Sequence, residues 1–138
     1  MEAGTAGWQV FGSGTLTPST SPAHSGARAL AISGRAAAWN GISQNVTARL
    51  VSGRSYTTNV WVRTQNGTPG AHATLALTSN GTTSFIALTP TTTVSPSGWT
   101  LLSGTATVSW TGTLSSATFY VETAAGTDSF LIDDASFQ

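Results

Sequence analysis

Residues 73–88 read Ala-Thr-Leu-Ala-Leu-Thr-Ser-Asn-Gly-Thr-Thr-Ser-Phe-Ile-Ala-Leu, and this stretch decides the fold class. Apolar residues occupy alternate positions before Ser79-Asn80-Gly81, and an apolar run follows it, as in strands that bury one face. An Asn-Gly pair between two such runs favours a two-residue β-hairpin turn, because both residues tolerate positive φ. The stretch therefore predicts two antiparallel strands joined by a tight turn.

Short apolar runs separated by turn residues continue along the rest of the chain. They are Ala29–Ser33, Ile42–Val46, Tyr56–Arg63, Trp99–Leu102, Thr105–Trp110, Ala117–Glu122 and Phe130–Phe137. No segment places apolar residues at helical spacing over three turns, so helix is essentially absent. About nine to eleven short strands with this spacing predict an all-β fold, an antiparallel β-sandwich with jelly-roll topology. The length of 138 residues fits a single domain over residues 1–138.

The composition excludes several classes of function. Charged residues are 7% of the chain and the formal net charge is zero, so electrostatic attraction to nucleic acid or to an anionic membrane is not expected. The chain contains no run of about 18 apolar residues, so the sequence does not predict a membrane-spanning helix. The chain has no cysteine, which excludes disulfides, thiolate metal sites and a cysteine nucleophile. Abundant Thr, Ser and Gly with no Lys suggest a domain that works outside cells.

Strand alternation sorts the residues of two runs onto two faces. In the run 118–122, Phe119 and Val121 point toward the core, while Tyr120 and Glu122 share the outer face with Thr118. In the run 56–63, Tyr56, Val60 and Val62 face the core, and Thr57, Asn59, Trp61 and Arg63 face outward. We interpret these outer residues as one exposed surface of aromatic and polar side chains.

Such a surface suits a sugar chain. A pyranose has an apolar C–H face that stacks on an aromatic ring, and its hydroxyls need fixed hydrogen-bond donors and acceptors. Stacking contributes about 0.5–1.5 kcal/mol beyond area burial, and each net hydrogen bond contributes a similar amount. A single Trp taken alone is more often structural, in the core or at a sheet edge, and Trp8 and Trp99 are expected to pack in that way.

An ordered set of short motifs resembles carbohydrate-binding module family 22 and its relatives in families 4 and 9. The motifs are Gly7-Trp8-Gln9, Ser21 to Leu30, Gly34-Arg35 through Trp39-Asn40-Gly41, Gly53-Arg54-Ser55-Tyr56, Val60 to Arg63, Ser97 to Thr100, Phe119 to Glu122 and Phe130 to Asp134. The resemblance implies a β-sandwich jelly roll, similar to galactose-binding domains. It also implies a non-catalytic module of a larger secreted protein, in which a catalytic domain, very often a xylanase, is covalently attached.

The resemblance assigns a cleft that holds one glycan chain. By position, Trp39 matches a stacking Trp, Tyr120 a ring contact and Glu122 an acceptor for sugar hydroxyls. Phe85 falls near a second cleft aromatic that is usually Tyr in xylan binders. Phe11 stands where xylan binders often carry Arg. Arg35 or Arg63 is a candidate replacement for this cationic donor.

The expected partner is therefore a plant cell-wall polysaccharide, xylan first and mixed-linkage β-glucan or another β-1,4-glycan second, bound by a monomer. The resemblance also implies a structural calcium between the terminal strands, with Glu2 and Asp133 as side-chain ligands and backbone carbonyls near Ser25 and Arg28. Calcium takes six to eight oxygen ligands. An alternative is that Asp133 and Asp134 form a solvated edge without metal.

Two other functions remain to be weighed. Glycoside hydrolysis needs two carboxyl groups about 5–9.5 Å apart, and only Glu122 lies on the expected ligand face. His24 and His72 are expected in exposed loops without an acidic neighbour, so a Ser-His-Asp hydrolase is disfavoured as well. The stronger competitor is a structural or adhesive β-sandwich spacer that binds no sugar, because the fold alone does not separate the two.

Overall fold

The computed structural model describes residues 7–19 and 29–138. In these ranges the strands are β1 (Gln9–Phe11), β2 (Thr15–Ser19), β3 (Ala29–Ser33), β4 (Gly41–Asn45), β5 (Arg54–Thr64), β6 (Gly70–Ser79), β7 (Thr82–Ala87), β8 (Thr92–Thr93), β9 (Thr100–Val108), β10 (Leu114–Thr123) and β11 (Phe130–Phe137). A 3₁₀ turn spans Thr47–Arg49. The described part of the chain contains no helix long and apolar enough to cross a membrane.

The strands form two antiparallel sheets. One sheet, here called the cleft sheet, has the order β1-β4-β10-β6-β7, with β8 also paired to β6. The other, the back sheet, has the order β2-β3-β11-β5-β9. Most connections along the chain pass from one sheet to the other, as in a jelly roll. The predicted all-β antiparallel sandwich is confirmed.

The hairpin predicted at Ser79-Asn80-Gly81 joins β6 to β7. Asn80 and Gly81 have φ values of 49° and 73°, as a type I′ turn requires. The register continues directly from this turn, pairing Ser79 with Thr82 and Ala76 with Phe85. The turn thereby fixes which residues of β7 face outward beside β6.

The core lies between the two inner faces, which carry the alternate residues of each strand. Phe119 and Val121 of β10 and Val60 and Val62 of β5 are fully or almost fully buried, as predicted. The rings of Tyr56 and Phe137 stack at 5.1 Å, and Phe119 packs 5.8 Å from Phe137. Burial of each such side chain contributes about 1.5–3 kcal/mol, so this region holds the sandwich together.

Two tryptophans expected to be structural pack against apolar clusters. Trp8 contacts the central core and meets Phe119 edge-on at 6.3 Å. Trp99 packs against a small separate cluster of Ala29, Ala31 and Leu131. The prediction that these two rings support the sandwich is confirmed.

The single exposed surface inferred from alternation is divided between the two sheets. Asn59, Trp61 and Arg63 point outward as predicted, but from β5, in the back sheet, whereas Tyr120 and Glu122 belong to β10, in the cleft sheet. The prediction that all five share one surface is wrong. Alternation assigns a residue to one face of its own strand, and it carries no information about which sheet that strand joins.

Candidate functional site

A cleft of about 690 Å³ opens on the outer face of the cleft sheet. Its walls and floor come from β1, β6, β7, β10 and the loops beside them. The lining residues are Phe11, Trp39, His72, Thr74, Phe85, Ala87, Thr89, Thr91, Tyr120 and Glu122. All four ligand-binding residues predicted from the sequence are among them, so the structure brings this set together.

Antiparallel register places the residues of the floor side by side. Tyr120 of β10 lies opposite Thr74 of β6, and Thr74 lies opposite Ala87 of β7. Two residues further along β10, Glu122 lies opposite His72. Because neighbouring strands lie about 4.8 Å apart, these side chains form a compact patch of hydroxyl, imidazole and carboxylate groups.

Two aromatic rings stand exposed on either side of this floor. Trp39 is 53% exposed, in the loop before β4, and Phe85 is 64% exposed, on the edge strand β7. The order β4-β10-β6-β7 puts the floor strands between them. Exposure of large rings on both flanks of a polar floor is unusual for a surface that only faces water.

Tyr120 is on the predicted face, but it is not the exposed ring that was expected. It is 3% exposed, because Phe11 stacks on it with ring centroids 3.9 Å apart and planes 14° apart. Trp39 meets the same Phe11 edge-on at 6.0 Å. Phe11 thus occupies the face that Tyr120 was predicted to offer to a ligand, and Tyr120 contributes its hydroxyl to the floor.

Glu122 is the centre of a hydrogen-bond network in the floor. Its Oε2 accepts a hydrogen bond of 2.7 Å from the Thr74 hydroxyl and lies 3.3 Å from Nε2 of His72. The Tyr120 hydroxyl lies near this carboxylate and interacts with it electrostatically. Nδ1 of His72 lies 3.2 Å from the Thr91 hydroxyl, which extends the network to the loop after β7.

The network shifts the pKa values of its members. Burial alone would raise the pKa of Glu122, but hydrogen bonds from His72, Thr74 and Tyr120 and the proximity of His72 outweigh it, so the pKa lies below its ordinary value. The pKa of Tyr120 is raised, chiefly by burial and then by the neighbouring Glu122 charge and hydrogen bond. The floor therefore favours an ionised Glu122 beside a neutral Tyr120.

Arg35 supports the loop that presents Trp39. Its guanidinium donates to the carbonyl oxygens of Asn40, Ala38 and Asp128 and to the hydroxyl of Thr123, and it lies over the ring of Phe130. The side chain is 6% exposed. It is a scaffold for the loop, so the suggestion that it supplies a cationic donor to a ligand is wrong.

Arg63 does not supply that donor either. Its Nε donates to the carbonyl oxygen of Pro96 at 3.0 Å, on the back sheet. Among the residues that the structure describes, the lining of the cleft contains no Arg or Lys. Neither arginine proposed to stand in for a cationic group at the position of Phe11 therefore reaches the described part of the cleft.

His72 is the residue that reasoning from the sequence missed. It was expected in an exposed loop without an acid, but it lies in β6, half-buried beside Glu122. Extending the alternation of β6 back from Ala76 through Thr74 would have put His72 on the outer face. His72 and Glu122 are 50 residues apart in the sequence, and they become neighbours through the register between β6 and β10. A local sequence pattern carries no information about that register. His24 lies outside the described residues.

The predicted metal ligands are only partly described. Asp133 is 2% exposed in β11, and one of its carboxylate oxygens accepts a 2.8 Å hydrogen bond from the Asp134 backbone nitrogen. Asp134 is exposed, with φ of 48° at an irregularity in the β11–β5 pairing. Glu2, Ser25 and Arg28 lie outside the described residues. Within those described, no group of three His, Asp or Glu side chains forms a metal site.

Known structures and sequences resemble this chain over most of its length. The first family 22 xylan-binding domain of Paenibacillus barcinonensis Xyn10C superimposes with a TM-score of 0.88 at 22% identity, covering 97% of this chain and 86% of that one. The C-terminal family 22 module of Clostridium thermocellum Xyn10B gives 0.84 at 26% identity, covering 94% and 83%.

The sequence comparisons extend this result. Endo-1,4-beta-xylanase A of Thermoanaerobacterium saccharolyticum is 40% identical over 63 residues, which are 46% of this chain and 5% of the xylanase, so the chain spans a small part of that enzyme. The family model of the carbohydrate binding domain CBM_4_9 matches residues 1–129. The chain belongs to this family of carbohydrate-binding domains, as its resemblance to families 22, 4 and 9 indicated.

Proposed function

We propose that the chain is a non-catalytic module that holds a single polysaccharide chain in the cleft, with xylan as the first candidate and mixed-linkage β-glucan as the second. The observation that carries the proposal is the pair of exposed rings, Trp39 and Phe85, on either side of the polar floor around Glu122. Rings of this kind stack on the C–H faces of sugars, and the floor hydrogen-bonds to their hydroxyls.

The size of the contact sets the expected affinity. Two stacked rings and a few hydrogen bonds give roughly −4 to −8 kcal/mol, which corresponds to a Kd between millimolar and micromolar. Tyr120 adds a hydroxyl but no stacking face, because Phe11 covers its ring. Binding therefore depends on the two exposed rings more than on any other pair of side chains.

The relatives support the choice of xylan and the setting of the module. Two structural relatives are described as family 22 domains of xylanases, one of them as xylan-binding, and the matching stretch of the sequence relative lies in a xylanase. We infer that this module is monomeric, works in a secreted protein and directs a covalently attached glycoside hydrolase to plant cell walls.

A binding role fits the acid groups of the cleft better than catalysis. In the described part of the cleft, Glu122 is the single carboxylate among the lining residues, and contacts with Thr74 and His72 hold it. Glycosidases use two carboxyl groups facing one another across the bond that breaks. Glu122 is suited to accept hydrogen bonds from a sugar.

Affinity electrophoresis tests the proposal. The protein is run in gels containing xylan, mixed-linkage β-glucan or no polysaccharide, together with Trp39→Ala, Phe85→Ala and the control Leu101→Ala. Leu101 is also an exposed apolar residue, but it lies in β9 of the back sheet. We expect retardation by xylan that is lost in Trp39→Ala and Phe85→Ala and kept in Leu101→Ala. Equal mobility of the wild type in all gels would instead support the spacer.

We also propose that calcium binds at Asp133 and stabilises the fold. The proposal rests on the buried carboxylate of Asp133, since Ca²⁺ prefers carboxylate ligands. Glu2 and the backbone carbonyls near Ser25 and Arg28 would complete the site. Bound calcium would link the segment around Glu2 to the strand that carries Asp133. An ion that binds only the folded state at 100 times its Kd adds about 2.7 kcal/mol of stability.

Thermal unfolding in Ca²⁺ and in EDTA tests this second proposal. We expect Ca²⁺ to raise the Tm of the wild type and of the control Asp134→Asn by several degrees, and to leave Asp133→Asn unchanged. Asn tolerates the positive φ of position 134, so the control keeps the backbone intact. A wild-type Tm that is the same in both solutions would overturn the calcium proposal.

A further inference from the structure

We infer that the cleft discriminates between glycans by charge, binding neutral chains and rejecting those that carry a uronic acid carboxylate at the floor. This inference rests on the proposed function and specifies the class of glycan that the same cleft takes. It follows from the direction of the hydrogen bonds around Glu122, and it concerns this chain's own arrangement of Phe11, Arg35 and His72.

Two contacts of the floor converge on Oε2 of the Glu122 carboxylate. The Thr74 hydroxyl donates to Oε2 at 2.7 Å. An ionised carboxylate has no hydrogen to give, so Nε2 of His72 must be the donor in their 3.3 Å contact. Since a carboxylate accepts at about four positions, acceptor positions remain for a ligand.

The same reasoning fixes the outer end of the network. When the imidazole of His72 is neutral and its hydrogen is on Nε2, Nδ1 is an acceptor, and the hydroxyl of Thr91 donates to it. Thr74, and Thr91 beside this tautomer of His72, therefore direct their hydrogens into the network and present lone pairs to the cleft. A ligand at the floor must supply the hydrogens, as the hydroxyls of a neutral glycan do.

A carboxylate at this position meets no Arg or Lys among the described lining residues of the cleft, and His72 already pairs with Glu122. Phe11 contributes an apolar ring to the same lining. Arg35, although close enough to interact electrostatically with Glu122, directs four N–H groups to backbone carbonyls and Thr123. Further donors among the described lining residues include the indole N–H of Trp39 and the hydroxyl of the buried Thr89, and neither carries a charge.

The energetic consequence is a penalty specific to anions. A uronate at the floor would lose its own hydration, meet the negative charge of Glu122 and find acceptors where it needs donors. A neutral sugar of the same size would donate to the remaining acceptor site of Glu122 and to the outward lone pairs of Thr74 and Thr91. We expect a preference of about tenfold or more for the neutral ligand at low salt.

Isothermal titration with short oligosaccharides tests the inference. Three ligands with one backbone length are compared at pH 7.5: xylotetraose, xylotetraose with one glucuronic acid side group, and the latter after its carboxyl is reduced to an alcohol. The reduced ligand keeps the bulk of the side group and removes the charge. We expect the first and third to bind at least tenfold more tightly than the second.

Two variants link the preference to the floor. Glu122→Gln removes the charge and adds an N–H donor, so we expect the preference for neutral ligands to shrink severalfold. Leu101→Ala serves as the control, because this exposed residue lies on the back sheet and its loss should leave both the affinities and their ratio unchanged.

The outcomes separate this inference from the proposed function. If xylotetraose and mixed-linkage glucan oligosaccharides both fail to bind the wild type, the proposed function fails. If the neutral and acidic ligands bind within twofold of each other, the proposed function stands and the inference is overturned. It is also overturned if the reduced ligand binds as weakly as the acidic one, because bulk would then explain the difference.

Discussion

The outer faces of the two sheets carry similar polar residues, but the hydrogen bonds among those residues are arranged differently. On the back sheet, polar groups of β5 and β9 pair with one another: Ser55 with Thr107, Thr57 with Thr105, and Asn59 with Ser103, at 2.8–3.1 Å. On the cleft sheet, hydrogen bonds converge on Glu122 between two exposed rings. Hydroxyls that pair with one another along a sheet leave few acceptors for a ligand, whereas hydrogen bonds that converge on one carboxylate leave acceptors open toward the cleft.

Arg35, beside the cleft, and Arg63, on the back sheet, offer the strongest test of this comparison. Arg35→Ala should lower the free energy of unfolding by about 3 kcal/mol, because it leaves several buried carbonyls without a donor and removes the ring contact with Phe130. Arg63→Ala should cost less than about 1 kcal/mol, because it loses a single hydrogen bond to the carbonyl oxygen of Pro96. Urea unfolding measures both.

Binding should separate the same two variants. Arg35→Ala should also weaken glycan binding, because the guanidinium anchors the loop that presents Trp39, whereas Arg63→Ala should bind as the wild type does. Equal losses of stability and affinity in both variants would show that the two sheets are not distinguished in this way.

A smaller effect is expected where Phe11 covers Tyr120. Phe11→Ala should destabilise the protein by about 1–2 kcal/mol, since a half-buried stacked ring is lost, and it should make the Tyr120 ring accessible. Collisional quenching of tyrosine fluorescence by acrylamide, in a Trp39→Phe background to reduce energy transfer, measures that accessibility. Leu101→Ala on the back sheet is the control and should leave quenching unchanged. Unchanged quenching in Phe11→Ala would contradict the assigned role of Phe11.

The smallest effect concerns the titration of Glu122. Its pKa is lower in the folded state than its ordinary value near 4.5, so its ionised form stabilises the fold above that value. That contribution is lost as the pH falls through the lowered pKa. The Tm of the wild type should therefore drop more steeply between pH 6 and pH 3 than that of Glu122→Gln. Parallel curves would mean that the floor network does not favour the carboxylate.

Much of the fold was predictable because local chemistry encodes it. Asn80-Gly81 specifies its turn through positive φ, and alternation in β5 and β10 correctly separated buried from outward residues. Family resemblance then located Trp39, Phe85, Tyr120 and Glu122 in one cleft. It did not reveal the exposure of each ring, since stacking of Phe11 on Tyr120 depends on two strands separated by β4.

The sequence was enough to predict the class of the fold, the inward and outward faces of its strands, and most of the aromatic residues that line the cleft. The three-dimensional arrangement was needed to show which outward faces share a sheet, that His72 lies beside Glu122, and that Arg35 holds the loop before β4. The physical reason is range: alternation and turn conformation act over a few residues, whereas strand order and register are set by core packing between segments far apart in the chain.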